Sequence, residues 1–188
     1  IQNIVRELHN EKIDIIEWNP DQIAYISKAI SPARVTGVYL SEPADSARTA
    51  TVVVTEDQLS LAIGRNGQNA RLAAKLTGWR IDIKSLVEAT IDSLAKLKED
   101  AELAEMMPKA VEQMPEIEAM LAKKAEGRSL SPEEYQVMGV FMDRVERRTI
   151  EVQEEADRVE QEKITEIRAG ISPAAFELEL AEVETLKE

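Results

Sequence analysis

The chain has no cysteine and a single histidine, His9. Disulfides and cysteine-ligated zinc are therefore excluded, which fits a reducing cytoplasm. A histidine-built metal cluster is excluded as well, and a Ser-His-Asp triad would depend wholly on His9. No apolar run approaches the roughly 20 residues that a membrane-spanning helix needs. The residues from Ile1 mix polar and apolar side chains, unlike a secretory signal. The length, 188 residues, suits one ordinary domain or two small ones.

Positive charge is also scarce. There are 23 bases against 36 acids, a net of −13. Taken whole, that argues against nucleic acid, which needs a basic footprint. The deficit is uneven, however. Residues 1–86 hold 10 bases and 10 acids, whereas 87–188 hold 13 bases and 26 acids, so the whole −13 lies in the second part. Inside the first part, residues 58–84 carry Arg65, Arg71, Lys75, Arg80 and Lys84 against Asp82 alone, a net of +4. The chain divides near Leu86 into two stretches of different character.

The first stretch mixes helix and strand. Ile1, Ile4, Val5 and Leu8 have helical spacing, and 12–16 (Lys12-Ile13-Asp14-Ile15-Ile16) reads as a short strand. Asn19 is an expected N-cap with Pro20 at the first helical position. A helix through Ile23, Ile26 and Ile30 should stop at Ser31-Pro32. Val35 to Leu40 and Thr49 to Val54 are β-rich and flank the turn residues 42–46, which predicts a hairpin. A helix is expected from Glu56 to Ile63, a second from Gln68 to Leu76 with Gly78 past its end, and a strand from Arg80 to Lys84. From Pro20 the predicted order is α-β-β-α-α-β.

The sequence echoes itself at a shift of 68. Ile4, Val5 and Leu8 fall on Leu72, Ala73 and Leu76, and Lys12-Ile13-Asp14-Ile15 falls on Arg80-Ile81-Asp82-Ile83. Only the second copy is preceded by a hairpin, a helix and a glycine loop. Either the echo is the coincidence of two αβ units, or, as is expected here, Ile1 lies inside a larger protein with another such loop just upstream.

Gly64-Arg65-Asn66-Gly67 joins two predicted helices. Two glycines three apart are weak evidence alone, and a plain tight turn accounts for them equally well. The context adds weight. First-turn N–H groups of the second helix lack intrahelical partners and favour an anion. Flanking glycines allow a sugar-phosphate backbone to approach closely. Arg71 and Lys75 are i,i+4 neighbours on that helix, either an ordinary solvated face or a phosphate track. Ala70, Ala73 and Ala74 keep another side low, which suits a groove for unpaired bases. The loop follows a helix rather than a strand, so it is not a dinucleotide fingerprint, and no Lys-Ser/Thr follows, so it is not a P-loop.

Ile63-Gly64-Arg65-Asn66-Gly67 within this element order resembles a KH domain of the type II, bacterial kind, an α+β fold. The longer run from Gln58 to Ala73, continuing to Leu76-Thr77-Gly78-Trp79, resembles the second KH domain of the NusA family of bacterial transcription elongation and termination factors. Residues 1–8 and 11–18 resemble the end of that family's first KH domain. The resemblance covers about residues 1–86. Together with the change of composition near Leu86, it divides the chain into a first-domain remnant (1–18), a KH domain (19–86) and an all-α acidic helical region (87–188), the last outside the resemblance. It implies a cytoplasmic, non-enzymatic protein that binds single-stranded nascent RNA and RNA polymerase, with other elongation or antitermination factors as further partners. The polymerase-docking parts would lie mostly upstream. KH loops clamp about four nucleotides. By position, Ile63, Gly64, Arg65, Asn66, Gly67, Gln68, Asn69, Arg71 and Lys75 are the implied RNA contacts, with no cofactor and no metal. A lone KH domain of this kind should bind weakly.

Trp18 and Trp79 could stack on bases, but each borders a predicted strand, where anchoring in the core is the commoner use. His9 is expected as a surface residue at a helix end. No constellation here supports catalysis.

In residues 87–188 no strand is apparent. Val87, Ile91, Leu94 and Leu97 predict a helix running to about Met107. Pro108 and Pro115 should break the pattern into short pieces up to Gly127. Ser131-Pro132-Glu133-Glu134 is a capping-box start for a long helix to about Ala169. Met138, Phe141, Met142 and Val145 form its apolar face, and 151–163 is nearly all charged. Val145, Val152 and Val159 recur every seven residues, but Thr149, Ala156 and Lys163 are poor coiled-coil companions. A last helix is expected from Ser172-Pro173, with Phe176, Leu180 and Val183 on one face. The acids lack the Glu-x-x-His motifs of di-iron bundles. The region is expected to be either a surface for basic proteins that repels RNA or a solvated helical extension. Two other functions stay open for the whole: a docking module for polymerase or ribosome, and another KH protein such as a ribosomal small-subunit protein or an RNA-processing GTPase.

Overall fold

The computed structural model describes residues 6, 7, 9, 13–42 and 47–170, the side chains of 166–170 excepted. Its elements run α1 (Gln22–Ala29), β1 (Val35–Ser41), β2 (Thr49–Val54), α2 (Glu56–Ile63), a 3₁₀ turn (Arg65–Gly67), α3 (Gln68–Thr77), β3 (Arg80–Ser85), α4 (Leu86–Glu99), α5 (Ala101–Met106), α6 (Pro108–Ala125) and α7 (Pro132–Gly170). From α1 to β3 the order is the expected α-β-β-α-α-β. Of the first expected helix only Arg6 and Glu7 are described, and both are helical; exposed His9 follows with φ of 56°. The hairpin turn residues 43–46 and the expected helix from Ser172 lie outside the described residues.

Two expectations at the start fail. Residues 13–16 form no strand, and Ile15 is 71% exposed. A strand is stable only when a neighbour completes its hydrogen-bond ladder, and the three-stranded sheet is built from β1, β2 and β3. The cap of α1 is Asp21, whose carboxylate accepts from the Ile23 N–H at 3.0 Å. Asn19 instead accepts from the Asp21 N–H at 2.9 Å, so the helix starts two residues later than its proline suggested.

The sheet has the order β1-β2-β3, with β1 antiparallel and β3 parallel to β2. Period-2 alternation gives it two buried faces. Val38, Ala50, Val52 and Val54 pack with Ile26, Ile30, Ala62, Ala73 and Trp79 into one core under α1, α2 and α3. On the other face Tyr39 and Val53 are buried. There the Tyr39 hydroxyl donates to Asp143 of α7, and Lys84 donates to Asp92 of α4 at 2.7 Å.

The helices after β3 have a core of their own, which includes Leu94, Leu97, Leu103, Ile117, Met120, Met138, Phe141 and Val145. Residues 87–148 are therefore not a solvated extension, and everything up to Arg148 is one compact unit. The helix expected to run unbroken to Met107 is interrupted at Asp100, whose side chain accepts from the Leu103 N–H and starts α5. Pro115 does not break α6, which continues through it to Ala125. An interior proline costs about 3 kcal/mol, and the burial of Ala110, Ile117 and Met120 on that helix offsets it. Ser131 and Glu134 make the expected reciprocal capping bonds. The Lys123 ammonium beside Glu134 holds that carboxyl below its ordinary range. From Thr149 a second unit begins. Its described part is helical and almost wholly exposed over 151–165. No helix among the described residues is long and apolar enough to cross a membrane.

Candidate nucleic-acid interface

The glycine loop is a tight turn between α2 and α3. The Gly67 N–H donates to the Gly64 carbonyl at 3.1 Å, and the Gln68 N–H donates to that of Arg65. Three requirements for positive φ within four residues explain the local sequence. Gly64 sits at φ 74°, ψ 173°, Asn66 at φ 54°, ψ 28°, and Gly67 at φ 71°, ψ 17°. Asparagine is among the few non-glycine residues that tolerate the left-handed region, and the conformation of Gly64 is essentially reserved for glycine. A Cβ on Gly64 would stand 2.7 Å from the Asn69 Cβ and 2.9 Å from its backbone nitrogen.

The turn directs Arg65, Asn66 and Gln68 outward, and all three are exposed. Arg71 and Lys75 are exposed one and two turns along α3. Among the described residues the side chains of Arg65, Arg71 and Lys75 enter no ion pair or hydrogen bond. Ile63 is exposed at the end of α2. The positive end of the α3 macrodipole points toward this loop. Of the five bases counted between 58 and 84, Lys84 does not share this surface. It bonds Asp92 and lies 3.4 Å from Asp82, and the Asp92 bond raises its pKa.

Asn69 is placed differently from its neighbours. It is half-buried, and its side-chain amide donates to the carbonyls of Ile30 at 3.2 Å and Ala62 at 3.1 Å. Nothing in the spacing distinguishes it from Gln68; only the crossing of three helix ends does. The tryptophans also part company. Trp79 is 3% exposed, donates to Gln22 and is covered by the Arg48 guanidinium 5.1 Å from its ring, whereas Trp18 is 69% exposed. The loop is tied to the helices beyond β3 through α2. Glu56 in its first turn accepts from Lys124 at 2.5 Å and from the Tyr135 hydroxyl at 3.4 Å.

A three-stranded sheet of this connectivity, with a glycine turn between its second and third helices, defines a KH domain of type II order. Residues 22–91 match the family model described as the NusA-like second KH domain, and this stretch belongs to that family. The chain is 52% identical over 101 residues to the transcription termination/antitermination protein NusA of Halalkalibacterium halodurans, covering 54% of this chain and 25% of that protein. It is 53% identical over 89 residues to that of Bacillus subtilis, covering 47% and 23%. It is 54% identical over 84 residues to that of Mycobacterium bovis, covering 45% and 24%. The chain thus spans about a quarter of the length of the curated relatives it matches.

Proposed function

We propose that this chain is part of an RNA-binding transcription factor of NusA type, acting in pausing, termination and antitermination by RNA polymerase. In this proposal residues 19–86 hold single-stranded nascent RNA, 1–18 end a preceding KH domain, and 87–188 are a helical region with its own contacts. The protein is non-enzymatic and cytoplasmic, with polymerase and other elongation or antitermination factors as partners. The observation that carries the reading is the set of unpaired cations, Arg65, Arg71 and Lys75, displayed beside a glycine turn at a helix N-terminus. Gly64 and Gly67 let a phosphate approach the backbone, Arg65 and Asn66 grip it, and Gln68 lies at the mouth of the helix. Arg71 and Lys75 carry the phosphate track along α3, while Ile63 supplies an apolar rim.

A second reading, a protein-docking module, draws on the exposed apolar side chains of α3, Leu72 at 56% and Leu76 at 48%. One titration separates the two. Labelled single-stranded RNA is titrated against wild type and the double variant Arg65→Asp/Asn66→Asp. The RNA reading requires a large loss in the variant. Equal affinity, or no binding by either at low salt, refutes it.

A further inference from the structure

We infer that Asn69 is a positioning residue that fixes the shape of the glycine turn, and that it does not itself touch RNA. The inference rests on the RNA reading above for its functional meaning, but its geometry stands apart from it. A primary amide has two N–H donors, and in Asn69 they go to two carbonyls, those of Ile30 and Ala62. Ile30 is the C-terminal cap of α1, and Ala62 lies in the last turn of α2. Carbonyls at helix ends lack intrahelical partners; that of Ile30 already accepts from the Ala33 N–H at 3.2 Å and takes Asn69 as a second donor. One side chain in the first turn of α3 thus donates to a carbonyl at the end of each of the two other helices. It thereby ties together the three helix ends that surround the turn.

The same residue forms the wall behind the turn. Its Cβ and backbone nitrogen occupy the space that any side chain at position 64 would need. Gly64, at φ 74° and ψ 173°, packs against this wall, and that conformation turns the chain so that Arg65 and Asn66 face solvent. With both amide donors spent, the Asn69 side chain has no N–H to offer a phosphate or a base. Its contribution to binding is to hold the turn in the binding conformation before RNA arrives, which spares the ordering cost at the moment of association.

The test uses the full chain and needs no ligand for its first arm. Backbone amide hydrogen exchange is compared between wild type and Asn69→Ala over residues 64–67. The expected result is exchange about tenfold faster in the variant, and RNA affinity about tenfold weaker, as loss of the two hydrogen bonds predicts. The second arm follows the Asn69 side-chain amide protons of the wild type by NMR, so it does not depend on a variant that folds. These protons should be slow to exchange and should keep their chemical shifts when single-stranded RNA saturates the protein, while the Asn66 side-chain signals move. Turn exchange unchanged in Asn69→Ala, or Asn69 amide signals that shift with RNA, overturns the inference. Wild type that binds no RNA overturns the functional reading instead, and the exchange arm still decides the positioning role.

Discussion

The Tyr39 hydroxyl donates to the Asp143 carboxylate at 2.7 Å, joining the edge strand of the sheet to a helix 104 residues later in the chain. Asp143 is also held by the Arg147 guanidinium, whose Nε lies 2.9 Å from both oxygens. The ring of Tyr39 lies over Gly37, where a Cβ would come within 2.9 Å of its ring edge. The sheet face opposite the glycine turn is thus closed by the molecule's own helices.

That bond makes stability fall in alkaline solution. Burial first, and the hydrogen bond to Asp143 second, push the Tyr39 pKa far above the ordinary value near 10. Above pH 10 the unfolded chain releases this proton while the folded chain keeps it, so the unfolded state binds fewer protons and unfolding becomes easier. Stability contributed by the neutral phenol is complete below pH 10 and declines above it by about 1.4 kcal/mol per pH unit. Tyr39→Phe should cost about 1 kcal/mol at pH 7 and should flatten the alkaline decline. Urea denaturation of both proteins at pH 7 and across pH 10 to 11 measures the difference.

Glu146 is buried and accepts from Ser93 at 2.9 Å and from Lys96 at 2.7 Å. Glu146→Ala leaves the half-covered Lys96 ammonium without its acceptor, while the Ser93 hydroxyl keeps the Ala89 carbonyl at 2.8 Å. It should destabilise the unit by about 2–4 kcal/mol, with Glu146→Gln milder because the amide oxygen still accepts. RNA affinity at a temperature where both variants are folded should match wild type. A thermal shift of less than a degree for Glu146→Ala would show that the network contributes nothing.

The two loop glycines should respond unequally. Gly64→Ala combines a forbidden backbone region with a backbone clash and should cost more than about 2 kcal/mol. Gly67→Ala meets nothing within 4 Å and carries only the left-handed cost of about 1 kcal/mol. Equilibrium denaturation of the pair gives the comparison, and equal losses would contradict the geometry.

The tryptophans offer the same contrast in the core. Trp79→Ala should cost about 3–5 kcal/mol, because the ring fills the space between α1 and the sheet. Trp18→Ala should be nearly silent in thermal melts, since the ring is largely in solvent.

Local chemistry was readable where neighbouring residues carry it. The boundaries of α2, the positions of the three strands, Gly78 as a left-handed helix end and the Ser131 capping box all follow from residues within a few places of one another. The turn at 64–67 belongs with these, since its glycines and Asn66 all answer to positive φ. Failures came where the deciding partner is distant. Residues 13–16 have strand composition but no adjoining strand in the sheet. Pro115 has a helix breaker's chemistry, and packing overrides it. In sequence Asn69 is one more polar residue beside the loop; only the fold brings the carbonyls of Ile30 and Ala62 to its amide.

The charge of the chain illustrates the division. By itself the sequence determined that the deficit of positive charge lies after residue 86, and that a basic window surrounds the glycine turn. Counting charges needs no geometry. Only the tertiary structure decided which of those bases are free. Lys84 is taken by Asp92 from the next helix, while Arg65, Arg71 and Lys75 stand in solvent without partners among the described residues. It also decided that the acidic half up to Arg148 closes over the sheet around a core of its own. Such contacts join residues far apart in the chain, and no local pattern encodes which distant side chain will arrive.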